Sequence, residues 1–394
     1  MKIAGIIAEY NPFHSGHARH IDLTRAATGC DFVVACVAGH FTQRGDPALM
    51  SKWARARMAM AGDGGAGRVD AVVELPAMFA VRTADAFARG GVAILGGIGA
   101  DVLSFGSETE DMGILRALAD LRASEPPSLS EAVRRGLDAG RSHARARGEA
   151  IGEYLGVDPA LINRPNMILA AEYLRAIDAC APGMAPVVIR RDGDYHGESL
   201  KGTASASAIR AALARGETEA ALAALPAPAR DHAELEPMHA MDDMLMLRLR
   251  EMTPEAMAAL PDVGEGLEHR LYALCRERST REGLLEALKC KRYTRARLSR
   301  LLTHALLGMT QSRLEATPMP RYARLLGVRR GAEALLTELK ARSAIPLVSN
   351  AGELRGDTTF ELECRATDTW ALLHDAPERR LPGREFTEKF IRIE

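Results

Sequence analysis

Aromatic residues are scarce in this chain, at 5% of 394 residues. The 47% hydrophobic fraction rests mainly on Ala, Leu, Val and Ile, which with abundant strong helix formers predicts a helix-rich protein. Cysteine is sparse too. Cys30, Cys36, Cys180, Cys275, Cys290 and Cys364 are scattered without a C-x-x-C pair or regular spacing, which argues for reduced core thiols and against a disulfide framework or zinc site. No uncharged run reaches the roughly 18 to 20 residues of a membrane span. The opening MKIAGIIAEY carries one lysine and an apolar run broken at Glu9, too short for a signal-peptide core, so the expected location is the cytoplasm, with no membrane partner. The net charge of −1 points to no particular partner. No G-x-x-x-x-G-K-[ST] stretch occurs, which excludes P-loop chemistry.

What is present is a rhythm. Short apolar runs at KIAGIIA (from Lys2), DFVVACVAG (Asp31), VDAVVELP (Val69), DVLSFGSE (Asp101) and APVVIRR (Ala185) have the continuous hydrophobicity of strands covered on both faces. Helical patterns lie between them near Gly16–Thr28, Ser51–Ala61 and Thr83–Gly96, with a longer helical insertion around Asp111–Leu155. This β-α alternation predicts an α/β fold, a Rossmann-like doubly wound parallel sheet with ligands at the carboxyl ends of its strands. The strand pattern stops after about residue 220, and a mostly helical stretch is expected to Lys340, with a small β element near Ile345–Leu354 and Phe360–Cys364. The length suits two domains, 1–220 and 221–394.

Chemistry concentrates at the ends of the predicted strands. EYNPFHSGHARHI, from Glu9 to Ile21, places His14, Gly16, His17 and His20 just past the first one. Glycine lets a phosphate approach the backbone, and a helix starting there aims unpaired N–H groups and its positive dipole end at the ligand. His14 and His17 are three apart, so they point to one side of a first turn. Together they form an anion cradle that suits a nucleotide α-phosphate, able to stabilise the charge that grows as pyrophosphate is displaced. A zinc site built on the three histidines lacks an H-E-x-x-H pattern or a cysteine partner. Further on, TASASAIRAALARG (Thr203 to Gly216) reads as a serine-capped helix with Gly216 as its stop.

H-x-G-H after a first strand is the signature of the nucleotidyltransferase superfamily of pantetheine-phosphate and nicotinate-nucleotide adenylyltransferases. The longer series EYNPFHSGH, AGHFTQRGDPA, SKWARARMAM, VVELP, FGSE, RPNMILAAEY, SASAIR and KRYTRARLSRLL resembles, in order, the bacterial tRNA(Met) cytidine acetate ligase family. Serine stands at position 15 where that family most often has asparagine. The resemblance implies that ATP and acetate give acetyl-adenylate and pyrophosphate, and that the acetyl group passes to the wobble cytidine of elongator tRNA(Met), forming N4-acetylcytidine. Carried over by motif, the ATP contacts are Ile7, Ala8, Glu9, Tyr10, Asn11, Pro12, Phe13, His14, Ser15, Gly16, His17, Ala18, Arg19 and His20, then Gly106 of FGSE, Asn166 of RPN and either Arg190 or Arg191 of VVIRRDGDYH. Spacing from DGDYH favours Arg190. His14 and His17 take the catalytic role, while Ser205, Ser207 and Arg210 match the superfamily's holder of the β and γ phosphates. A magnesium ion is expected with ATP, and Glu108 either holds it through water or caps the next helix. Gln43, Arg44 and Lys52 are expected to line the acetate or tRNA side.

From Arg276 to Arg330 there are 14 Lys or Arg against 4 Asp or Glu, a local charge of +10 in a chain whose total is −1. On a helical wheel Leu298, Leu301, Leu302, Ala305 and Met309 fall on one side, and Tyr293, Arg297, Arg300 and His304 on the other. The basic side, with Arg292, suits RNA phosphates, and Tyr293 is placed to stack on a base. An alternative keeps the enzyme class and changes the substrate, an adenylyl- or cytidylyltransferase acting on a phosphorylated small molecule. Such enzymes are usually much shorter.

Overall fold

Each of the five apolar runs forms a strand: β1 (Ile3–Ala8), β2 (Phe32–Ala38), β3 (Ala71–Leu75), β4 (Val102–Ser107) and β5 (Ala185–Arg190). A computed structural model describes residues 1–191, 200, 204–235, 238–290 and 292–393. Strands β1 to β5 pair in parallel in the order β5-β4-β1-β2-β3. The chain runs from β1 outward through β2 and β3, then returns to lay β4 on β1's other side. The order therefore reverses between β1 and β4, where ligands of open α/β sheets bind.

Alternation along the strands supplies two core faces. Ala4, Ile6, Val33, Ala35 and Val37 pack with helix α1 (Ser15–Thr28), helix α2 (Lys52–Ala61) and the helix Ala206–Ala214. Val34, Cys36, Val73, Leu103 and Phe105 face the helices Ala84–Gly97 and Pro165–Cys180, and this core continues into Leu245, Leu302 and Trp370 of the C-terminal helices. All six cysteines are free.

Two stretches depart from the expected pattern. Residues 323–329, expected to be helical, form β6 (Ala323–Arg329), which pairs antiparallel with β3 and carries the sheet into the second half of the chain. Short strands β7 (Leu347–Val348) and β8 (Ile391–Ile393) lie parallel to it. Phe360–Cys364, expected as β, lies inside the helix Thr358–Ala371, which starts where the Asp357 carboxylate accepts the Thr359 and Phe360 N–H groups. The DGDYH stretch and Thr203 lie outside the described residues.

Candidate functional site

β1 delivers the chain to the switch point, and Glu9 to His14 form the turn into α1. His14 is the N-cap: its Nδ1 accepts the Gly16 N–H at 3.0 Å, while His17 Nδ1 accepts the His14 N–H at 3.3 Å. The two imidazoles thus reproduce the reciprocal capping box usually made by Ser or Thr with Glu. A ring nitrogen that accepts carries no proton, so each neutral ring holds its proton on Nε2. Burial, then the charges of Arg191 and Arg210, push His14 down to about 4. Burial also lowers His17, helped by His14 and Arg191. Both rings are therefore neutral at pH 7, stacked 3.8 Å apart, and each presents one Nε2–H donor beside the positive end of α1. The Tyr10 ring packs edge-on against His17 at 4.9 Å and Phe13 at 5.1 Å. One turn on, His20 Nε2 is 3.1 Å from Ser104 Oγ, which bonds Thr24 Oγ1 at 2.6 Å. His20 thereby ties α1 to β4.

The second wall comes from β4 and β5. A Cβ on Gly106 would meet the Arg191 stem at 3.0 Å, so glycine is what lets that side chain cross the strand. Arg191 Nη1 reaches Asn166 Oδ1 at 3.4 Å, and Asn166 Nδ2 donates to Glu108 Oε1 at 2.9 Å. Arg191, not the preferred Arg190, is the arginine whose charge bears on His14, His17 and His20. Arg190 instead uses its backbone N–H on Glu110 at 3.2 Å.

The third wall is the N-terminus of the helix Ala206–Ala214. Ser205 caps it by accepting the Ala208 N–H at 3.1 Å, and its Oγ lies 2.9 Å from Ser207 Oγ. Arg210 Nη1 donates to Asn11 O at 2.6 Å, which brings SASAIR against the histidine loop. Beneath the loop, Glu9 Oε1 accepts the Gln43 N–H at 2.7 Å, and Arg55 Nη1 donates to Glu9 O at 2.5 Å. Burial raises the Glu9 pKa against the pull of that N–H and of Arg210, Arg55 and Arg44. Two imidazole donors, two guanidinia and two helix N-termini converge here, a set of donors suited to a chain of phosphates.

Residues expected to line the acetate or tRNA side take up several different positions. Lys52 is fully buried, its Nζ bonded to Glu74, to Glu363 at 2.9 Å and to Glu385 at 2.5 Å, so it locks β3 to the C-terminal helices and lines no site. Tyr293 is not free to stack on a base: it is buried, its hydroxyl donates to Gly264 O at 2.9 Å, and the Arg297 guanidinium covers its ring at 4.7 Å. Arg300 and His304 are buried, not solvent-facing, because the segments 81–82 and 262–264 and the turn at Gly45 cover that side of the helix Arg295–Leu307. Gln43 uses its side-chain amide on Arg82 O at 2.6 Å. Arg44 and Arg292 are exposed, the latter paired with Glu265 at 2.6 Å.

Sequence reasoning missed Arg55, Arg82, Glu74, Glu363 and Glu385. Arg55 stands three residues after Lys52 on α2, a spacing that puts both on one face. Among the described residues the His and carboxylate group tight enough to share a metal is His40, Glu363 and Glu385, and the Lys52 ammonium already sits between those two carboxylates.

The sequence pattern of the HIGH nucleotidyl transferase family matches residues 1–384. A tRNA(Met) cytidine acetate ligase of Acetivibrio thermocellus is 35% identical over 99% of this chain and 100% of its own length. One from Bacillus subtilis is 36% identical over 96% of this chain and 94% of its own. The crystal structure of Thermotoga maritima TmcAL bound with alpha-thio ATP superposes with a TM-score of 0.87 at 27% identity, covering 100% of both chains. Its apo form gives 0.88 at 28% identity, also with full coverage of both.

Proposed function

The chain belongs to the HIGH nucleotidyl transferase family and, within it, to the tRNA(Met) cytidine acetate ligases, and from that premise we propose that it acetylates the wobble cytidine of elongator tRNA(Met) in the cytoplasm, using ATP and acetate. An acetate oxygen attacks the α-phosphorus and pyrophosphate leaves, giving acetyl-adenylate. The exocyclic amine of cytidine then attacks the acetyl carbon, AMP leaves and the amine releases a proton. The observation that carries the reading is the histidine pair. Its two Nε2–H donors are fixed by backbone hydrogen bonds before any ligand arrives, so they solvate the charge developing on the α-phosphate without reorganising. Arg191 and Asn166 are assigned to the nucleotide across Gly106, and Ser205, Ser207 and Arg210 to the β and γ phosphates.

Magnesium fits this site through its acidic residue. Glu108 Oε2 is buried without a partner among the described residues, while Oε1 is held by Asn166. One protein carboxylate, with the remaining positions left to phosphates and water, is how magnesium is usually held, and the ion would neutralise the leaving pyrophosphate. We assign nucleotide chemistry to residues 1–220 and RNA binding to 221–394.

The test is incubation with ATP, magnesium and labelled acetate, with and without unmodified elongator tRNA(Met), following AMP and acetylated nucleoside by mass spectrometry. The expected result is acetate-dependent AMP and label in one cytidine. ATP binding with neither product would favour the small-molecule nucleotidyltransferase.

A further inference from the structure

Arg300 lies near the middle of the helix Arg295–Leu307 with 9% of its surface exposed, and its Nε, shielded from water, has no hydrogen-bond partner among the described residues. A guanidinium nitrogen held out of water with no partner costs stability unless something bound later offsets it. Its neighbours share its sign. Half-buried Arg82 and Arg297 lie close enough for their charges to bear on it, and Asp262 is the acid whose charge reaches Arg300 and Arg82 alike. Arg297 spends Nη2 on Asp262 O at 2.6 Å, yet its Nε too is buried without a partner among the described residues. Asp85 and Arg89, on the far side of Arg82, are opposite in sign and offset each other.

The position is as informative as the charge. The segment that carries Arg82 is fixed from both sides: His304 Nε2 pairs with Val81 O at 2.7 Å, and Gln43 Nε2 donates to Arg82 O at 2.6 Å. Gln43 in turn gives its backbone N–H to Glu9 at 2.7 Å, at the end of β1. Close approach between the halves is built in, because a Cβ on Gly45 would meet Ser299 O at 2.8 Å. A continuous hydrogen-bonded path therefore links the segment that carries Arg82 to the start of the histidine loop.

We propose that Arg82, Arg297 and Arg300 form a phosphodiester clamp that seizes the RNA backbone beside the cytidine being modified. This rests on the proposed function, which brings one nucleotide of a polyanion to this site. Guanidinia match phosphate oxygens in a fork geometry, and contacts to the backbone fix register while base contacts specify. The clamp holds the strand while the neighbouring base reaches the adenylate.

Purified wild type, Arg300→Leu and Arg82→Ala are compared for binding of unmodified tRNA(Met) across a salt series, with ATP and inorganic pyrophosphate titrated separately. Arg82→Ala is the control for folding, since its side chain is half exposed. The expected result is tRNA binding weakened about tenfold in each variant, with the salt slope reduced by about 1 per lost phosphate contact. Binding of ATP and pyrophosphate should stay within about twofold of wild type by the same separation of contacts. Equal weakening of ATP or pyrophosphate would overturn the proposal and make the cluster a nucleotide-phosphate subsite. Unchanged tRNA binding in both variants would overturn it as well. A wild-type protein that binds no tRNA would instead overturn the proposed function, and with it the clamp.

Discussion

Two clusters of buried charge sit between the sheet and the C-terminal helices, and they are built on opposite terms. Around Lys52 every charge is answered. Lys52 and Arg324 face Glu74, Glu363 and Glu385, with Arg324 pairing to Glu74 at 3.3 Å and to Glu385. Burial and the charge of Glu74 push the Glu363 carboxyl up to about 8. Around Arg300 lie the guanidinia of Arg82 and Arg297, Asp262 is the acid whose charge reaches Arg300 and Arg82, and two buried Nε atoms have no partner among the described residues. The first arrangement is complete within the protein and the second is not. A closed network fixes a fold, whereas an open one marks where a ligand's charge belongs.

Removing a member of the closed cluster should therefore have the largest effect on stability. Lys52→Met leaves buried carboxylates uncompensated, and a cost of about 3–5 kcal/mol is expected in urea denaturation. A loss below about 1 kcal/mol would show that the network contributes little to the fold. Next in size is His17→Ala, which should lower acetate-dependent AMP formation about 100-fold, the usual effect of deleting one preorganised donor. tRNA affinity should stay near wild type, and equal loss of both would remove the division of labour between the histidine loop and the arginine cluster.

How these regions read in sequence follows the same divide. β1 to β5 are legible because strands buried on both faces are continuous apolar runs, and the histidine loop because all its geometry is local, within seven residues of one helix start. β6 is hidden by Arg324, a buried charge near the start of the strand that only the distant Glu74 and Glu385 explain. FELEC alternates like a strand yet lies in a helix, where Glu363 turns inward to Lys52. The helical wheel rightly puts Arg297, Arg300 and His304 on one face. Periodicity says which residues share a face, not what covers it, and this face is covered by Val81, Asp262 and Gly45, all far away in sequence. Spacing from DGDYH favours Arg190, yet it is Arg191 whose stem crosses β4 at Gly106, a close approach that spacing does not register.

Histidines give a smaller, pH-dependent handle on both halves. His14, His20 and His304 are held near 4 by burial, and His17 is lowered too, whereas in the unfolded chain each titrates near 6.5. The unfolded state thus binds more protons, so the stability these residues contribute is complete above pH 6.5 and is lost as pH falls from 6.5 towards 4. Urea midpoints at pH 7.5, 6 and 5 should fall steadily, by about 1.4 kcal/mol per histidine per pH unit at most. A flat profile would mean that the rings take up protons as readily in the fold as in the unfolded chain, which would rule out their holding as neutral Nε2–H tautomers by burial.

The smallest expected effect separates the two clusters most cleanly, because it has the opposite sign. Arg300→Leu removes a buried charge that has no hydrogen bond at Nε and replaces it with an apolar side chain beside Leu301 and Leu302. Desolvating an underpaired guanidinium is unfavourable, so the variant should be as stable as wild type or about 1 kcal/mol more stable. Lys52→Met and Arg300→Leu are the same kind of change, a buried cation made apolar, and the sign of each ΔΔG reports whether the charge was answered from within. If Arg300→Leu is destabilised as strongly as Lys52→Met, Arg300 belongs to the architecture. A stabilised variant that has lost tRNA affinity would identify the strain of holding Arg300 dry as the cost of keeping a phosphate site ready.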